Sequence, residues 1–319
     1  MSMWQKAMIG LARSTTVKRV VQEAPFAGAM SRRFVGGGDM EAAMCTADGL
    51  KRRSISCSFF YLGEYVEDSD LIERNVREIV SVIPKLATSG LDLHVSVDPT
   101  QIGYSISNDL GERNAVRIGK IMKQHAEAVH AERGRVFMML DMEDVSYVQR
   151  TIDLHTTLKE QSVPVAITLQ AYLRRTEEDL KRLIECGAAV RLVKGAFVGH
   201  ESYGFTDRRS IDRSYTTLAE MLLSPGARQK GVYPIFGTHD DRIIQKVLTV
   251  APTNGWSRED FEFEMLFGVR PSLQRDIKTQ GYSLRLYLPF GTDWWPYTIR
   301  RVGENPANLR FILNSILRQ

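Results

Sequence analysis

Eight short apolar runs limit what this chain can fold into more than any other feature. They are Ile55–Leu62, Leu91–Val97, Val136–Leu140, Val165–Gln170, Ala189–Lys194, Val232–Thr238, Phe261–Leu266 and Leu284–Leu288. Each is rich in β-branched, aromatic or leucine residues, as expected of strands buried on both faces. The stretches between them have helical spacing. Leu71–Leu86 repeats Ile72, Val76, Ile79, Val80 and Ile83, and Asn114–Ala131 and Glu177–Cys186 behave alike. Strands alternating with helices imply parallel crossovers. Eight such units in about 260 residues predict an α/β fold, a (β/α)8 TIM-type barrel. A doubly wound open sheet would place Gly-x-Gly-x-x-Gly after an early strand, and none is present. Gly36-Gly37-Gly38 precedes the first strand and reads as a hinge leading to an N-cap at Asp39. Residues 1–54 are expected to form additional helices packed on the barrel, and residues 55–319 the barrel itself.

An apolar fraction of 43% supplies a sizeable core. The net charge of +4 comes from 42 basic and 38 acidic residues spread along the chain, so no dedicated nucleic-acid arm is indicated. Cys45, Cys57 and Cys186 form no CxxC and suggest neither a zinc site nor a disulfide framework. That sparse usage fits a reducing, cytoplasmic compartment. No apolar run approaches the roughly 18 residues needed to span a bilayer. Met1 to Gln22 has no acid and carries Lys6, Arg13, Lys18 and Arg19. Its composition is that of a transit peptide or of an amphipathic helix belonging to the fold.

In a barrel of this kind the chemistry lies at the C-terminal strand ends. Those ends are polar here: Asp141, Gln170, Lys194-Gly195-Ala196-Phe197, Thr238-His239-Asp240 and Tyr287. Each residue alone has an ordinary structural role. His239 could cap a helix, Lys194 could be a surface lysine, and Gln170 could satisfy buried backbone. Asp141 with Glu143 and Asp144 could form the acidic first turn of a helix. Their joint placement on one rim points to a site. Beyond the last run, Tyr297, Arg301 and Glu304 share a helical face, with Arg300 one position round. Paired guanidinium groups, an aromatic wall and a carboxylate suit a small anionic substrate beside a flat cofactor, because arginine grips carboxylate with a planar fork. A solvated helix face is the alternative. No HExxH or serine–histidine–aspartate order occurs, and no histidine stands at metal-ligand spacing from Asp141, so no metal is expected. What remains suits a redox enzyme whose cofactor carries the difficult chemistry.

Several stretches, in order, resemble the proline dehydrogenase family. They are Phe60-Tyr61-Leu62-Gly63-Glu64, Leu169-Gln170-Ala171-Tyr172-Leu173-Arg174-Arg175-Thr176, Arg191-Leu192-Val193-Lys194-Gly195-Ala196 and Phe261-Glu262-Phe263-Glu264-Met265-Leu266-Phe267-Gly268. Tyr287-Leu288-Pro289-Phe290-Gly291 and the Tyr297-x-x-Arg300-Arg301-x-x-Glu304 segment complete the set. The resemblance runs from about residue 20 to the end. It also favours reading the basic N-terminus as part of the fold.

The resemblance implies a flavin-dependent barrel enzyme with FAD as cofactor. It would oxidise L-proline, or a close cyclic imino acid, to Δ1-pyrroline-5-carboxylate. Gln170, Arg191, Lys194, Gly195, Ala196, Thr238 and His239 are then expected to contact the flavin. Asp141, Tyr287, Tyr297, Arg300, Arg301 and Glu304 are expected to shape the substrate pocket. A quinone, another electron carrier or oxygen would reoxidise the flavin, with peripheral inner-membrane contact where quinone is the acceptor. Two departures stand out. Asp98 occupies the place of a lysine that assists the arginine pair, which reverses a charge in the pocket, and Phe197 replaces a tyrosine. Asp98 therefore joins the candidate site. It also raises two alternatives: a paralogue acting on a modified pyrrolidine carboxylate, and a non-catalytic flavin- or imino-acid-binding homologue.

Overall fold

A computed structural model describes residues 33–63, 66–129, 136–196 and 200–304, with the side chains of 302–304 outside that set. Most of the N-terminal segment expected to be helical, Glu64, Phe197 and the side chain of Glu304 thus lie outside the described residues. The predicted strands all form: β1 Ser56–Tyr61, β2 Leu93–Val97, β3 Val136–Leu140, β4 Val165–Gln170, β5 Ala189–Val193, β6 Tyr233–Gly237, β7 Glu262–Leu266 and β8 Ser283–Phe290. Each pairs in parallel with its sequence neighbour, and β1 closes the barrel on β8 from Ser56↔Arg285 to Tyr61↔Phe290.

The helices, in chain order, are α1 Met40–Lys51, α2 Ser69–Ser89, α3 Asn108–Val129, α4 Val148–Glu160, α5 Thr176–Glu185, α6 Arg208–Leu222, α7 Pro225–Gln229, α8 Asp241–Thr253, α9 Pro271–Thr279 and α10 Trp294–Glu304. Their starts follow local chemistry. Asp39, Asp68, Asp207 and Asp240 accept hydrogen bonds from the first backbone N–H groups of α1, α2, α6 and α8. Asp39 does so directly after the three glycines, as the sequence suggests. The inner face of α2 buries Ile72, Val76, Ile79, Ile83 and Leu86 against the barrel. Burial of each such side chain stabilises the fold by about 1.5–3 kcal/mol relative to exposure.

The barrel interior divides into unlike halves. Met139, Ala166, Ala189, Tyr233 and Ile235, from β3 to β6, pack together as an apolar cluster with Phe137. The side from β7 through β1 to β2 is polar and buried, with Ser58, His94, Ser96, Glu262, Glu264 and Arg285. Near the N-terminal end, Arg285 donates to both carboxylate oxygens of Glu262 (2.7 and 3.1 Å) and to the Cys57 carbonyl (2.8 Å), and pairs with Asp92 at 2.9 Å. A guanidinium inside the barrel is tolerated because its charge and donors are so matched. His94 stays neutral: burial first, then the Arg285 and Arg191 charges, hold it well below its ordinary range.

His155 gives the fold a measurable acid sensitivity. It is 1% exposed on α4, and burial, aided by Lys159, pushes its pKa from 6.5 down to about 4. Below pH 6.5 the unfolded chain binds a proton that the folded one refuses, so stability is present at neutral pH and falls as pH drops toward 4. The slope is about 1.4 kcal/mol per pH unit for one such group. Urea unfolding at pH 7 and pH 5 should therefore show a larger acid loss in wild type than in His155→Gln, by about 2 kcal/mol. Equal losses would place His155 in contact with water.

Candidate active site

The C-terminal rim is organised around Arg191, at the middle of β5 and 6% exposed. Its Nε donates to Thr168 Oγ1 at 3.0 Å and its Nη1 to Glu264 Oε1 at 3.0 Å. Its Nη2 donates to Asp141 Oδ1, and the Tyr287 hydroxyl donates to Asp141 Oδ2 at 2.7 Å. The Tyr287 ring lies beside the guanidinium, 5.4 Å from Cζ to centroid. Ser58 donates to the same Glu264 oxygen at 2.6 Å. Strand alternation explains the convergence. Ser58, Thr168, Arg191, Glu264 and Tyr287 occupy inward positions on five strands, and Asp141 follows β3 directly. The sequence reading assigns Arg191 to the flavin and Asp141 with Tyr287 to the substrate. The structure joins all three in one network.

Gln170 ends β4, 2% exposed. Its amide donates to the Met142 carbonyl at 3.1 Å, while its own oxygen has no hydrogen-bond partner among the described residues. Lys194, just past β5, pairs with Asp212 of α6 and with Asp240 at 2.8 Å. Gly195 follows with φ +100, where a Cβ would stand 2.3 Å from Tyr172 Cδ1, so both conformation and space require glycine. Ala196 is exposed. Thr238 is buried after β6 and its hydroxyl accepts from Asp240 N at 3.1 Å.

His239 Nε2 accepts from the Leu266 backbone N–H at 3.0 Å, which ties the end of β6 to the end of β7. Burial first, then Arg301 and Arg270, push its pKa to about 4, so the ring is neutral at physiological pH. The helix predicted after β8 forms, and the expected spacing brings Arg301 Cζ over the Tyr297 ring at 5.1 Å. Tyr297 is buried, and Arg300 and Arg301 are half-buried. Asp98 follows β2, 7% exposed, and opens the turn Thr100–Ile102. Glu143 fixes that turn by accepting from Thr100 N and Thr100 Oγ1, both at 2.7 Å. The end of β2 is joined to Asp141 through Asp141 N→Val97 O at 3.0 Å.

The rim fits a flavin dinucleotide. The unsatisfied Gln170 oxygen suits a ring N–H. Arg191, with neighbouring Lys194 and Arg208 near Asp240, suits an acceptor-rich ring and an anionic diphosphate. Sequence reasoning passed over Glu264, Ser58, Thr168 and Asp212. Only Glu264 left a signal: Glu262 and Glu264 alternate with Phe261 and Phe263 in an otherwise apolar strand, the mark of inward-facing charge. If the Tyr287 hydroxyl holds Asp141 as the geometry indicates, Tyr287→Phe should lower unfolding stability by about 1.5–3 kcal/mol, the usual worth of a hydrogen bond to a charged group. An unchanged urea midpoint would mean that water replaces the phenol.

Comparison with known proteins agrees with this architecture. The family model described as proline dehydrogenase matches residues 43–314. Proline dehydrogenase 1 of Bacillus subtilis subsp. natto is 33% identical over 289 residues, covering 91% of both chains. The proline dehydrogenase of Deinococcus radiodurans is 29% identical over 321 residues, covering 99% of this chain and 98% of its own. Among solved structures, proline utilization A from Bdellovibrio bacteriovorus, inactivated by N-propargylglycine, superposes with a TM-score of 0.76 at 23% identity. That match covers 95% of this chain but 36% of the longer protein, and it carries the fold alone. On the family model and the identity to curated relatives, the chain belongs to the proline dehydrogenase family.

Proposed function

We infer that the chain oxidises L-proline, or a close cyclic imino acid, to Δ1-pyrroline-5-carboxylate, with FAD as the hydride acceptor. The observation that carries this reading is a rim with a buried guanidinium and an unsatisfied buried amide oxygen, followed after the last strand by an arginine-bearing helix, in a chain of this family. Bound FAD supplies a two-electron acceptor for the hydride that leaves the ring carbon next to nitrogen. The chain supplies positioning. Gln170, Arg191, Lys194, Gly195, Ala196, Thr238 and His239 hold the cofactor. Arg300 and Arg301 grip the substrate carboxylate, Tyr297 walls the ring, and Glu304 steadies the arginines. Asp141 and Tyr287, locked to each other and to Arg191, fix the side of the pocket nearest the barrel axis. Asp98 sets specificity at the end of β2.

Anaerobic addition of L-proline to the FAD-loaded protein should bleach its yellow absorbance. Failure to bind FAD on reconstitution would overturn the reading. Arg301→Met should lower kcat/KM roughly 30- to 1,000-fold, mostly through KM, with FAD still bound. That corresponds to losing a charge-assisted bidentate contact of about 2–4 kcal/mol. Glu304→Ala should give a smaller loss of the same kind. A change within a factor of about two for Arg301→Met would reduce the pair to a solvated helix face. Asp98→Lys should improve L-proline turnover, and no improvement would remove Asp98 as the specificity switch.

We propose a quinone, another electron carrier or oxygen as the acceptor that reoxidises the flavin. No described helix is long and apolar enough to cross a membrane. Where quinone is the acceptor, we propose peripheral contact with the inner membrane through the basic N-terminal segment. Release of the protein from membranes by salt would support that, and retention would count against it.

A further inference from the structure

We propose that Glu264 is a charge-setting and positioning residue that acts through Arg191 to hold down the reduction potential of the bound flavin. The inference rests on the reading that Arg191 faces the flavin. It begins from an imbalance. Arg191 carries one positive charge and is bonded to two carboxylates, Asp141 and Glu264. Asp141 is shared with the Tyr287 hydroxyl, in keeping with a place in the substrate pocket. Glu264 is different. It is 4% exposed, points into the barrel and uses a single oxygen for both of its donors, Ser58 and Arg191. Its second oxygen is buried with no partner among the described residues. A carboxylate placed there for structure alone would be poorly chosen, because a glutamine could accept the same two bonds without a buried charge.

The unneeded charge has a consequence for redox chemistry. Accepting a hydride adds two electrons and one proton to the flavin, and so one negative charge to the site. A guanidinium beside the flavin favours that change and a second carboxylate opposes it. Glu264 thus offsets much of what Arg191 would do alone, while fixing the guanidinium on the side opposite Asp141. Retaining the charge keeps electrons from resting on the flavin and favours their passage to the external acceptor.

Glu264→Gln tests this, because it keeps the accepting oxygen and removes only the charge. The FAD-loaded variant should show a flavin midpoint potential above wild type. One unit charge in a site of effective dielectric near 20 should change the reduction equilibrium roughly tenfold, about 30 mV for a two-electron couple. Equilibration with reference dyes reads this without turnover. Ser58→Ala provides an independent arm, since it strips one donor from the carboxylate and should move the potential the other way, less far. If Glu264→Gln fails to fold or to hold FAD, the Ser58→Ala shift decides alone: a fall supports the proposal and no movement overturns it. Arg191→Met separates this proposal from the reading beneath it. That variant should lower the potential and weaken FAD binding. If it does so while Glu264→Gln leaves the potential within about 5 mV of wild type, well below one decade in the equilibrium, Glu264 is structural only. If Arg191→Met changes neither property, it is the placement of the flavin that fails.

Discussion

The structure depends on a guanidinium that the barrel could not hold unaided. A lone cation at the position of Arg191 would cost several kcal/mol in desolvation. It is held because acceptors reach it from around the barrel: Thr168 from β4, Glu264 from β7 and Asp141 from the end of β3, with Tyr287 on β8 securing the aspartate. Barrel closure makes this possible, since those groups face one another only when β8 returns to β1. Fold and site are therefore one constraint seen at two scales. The register that closes the barrel also surrounds the guanidinium at its centre with acceptors.

The two halves of the interior express the same constraint. One half is an apolar cluster around Met139 and Ile235, where packing alone suffices. The other carries Arg285 with Glu262 and Asp92 near the N-terminal end, and its Glu264 reaches across the barrel to Arg191 of β5, which also pairs with Asp141 after β3. His94 lies between them as a neutral ring, edge-on to Phe137 at 5.9 Å between centroids. Each cluster pairs one guanidinium with two carboxylates drawn from different strands or strand ends, so the interior charge is not left to a single pair.

The strands were legible because burial on both faces writes a continuous apolar run, and each of the eight runs contains or overlaps an observed strand. The polar strand ends were legible for the same reason: each interrupts a continuous apolar run. Tyr297 and Arg301 were found by helical spacing, and the ring–guanidinium contact bears that spacing out. The pairings across the barrel left no local trace, even where a residue such as Glu264 or Asp141 stood out by itself. Glu264 lies 73 positions from Arg191 and 206 from Ser58, and Asp141 lies 50 from Arg191. No periodicity links residues so far apart. The isolated roles weighed for single residues divide: Gln170 does satisfy a carbonyl, whereas Asp240 and not His239 caps α8, and His239 accepts from the end of β7.

The glycine segment before α1 has a mechanical meaning. Gly36 donates to the Pro289 carbonyl at 2.7 Å, Gly291 donates to the Gly37 carbonyl at 3.0 Å, and Gly37 bridges Phe290 in parallel. Thr46 of α1 fastens the Gly36 carbonyl at 2.6 Å. The chain entering the barrel is thereby clasped to the last residues of its final strand, a few positions ahead of the helix that carries Arg300 and Arg301. A pull on the polypeptide upstream of Gly36 is delivered to β8 and from there to the arginine helix. The residues from Gly36 and the arginine-bearing α10 thus hang from one short anchor, Pro289–Gly291.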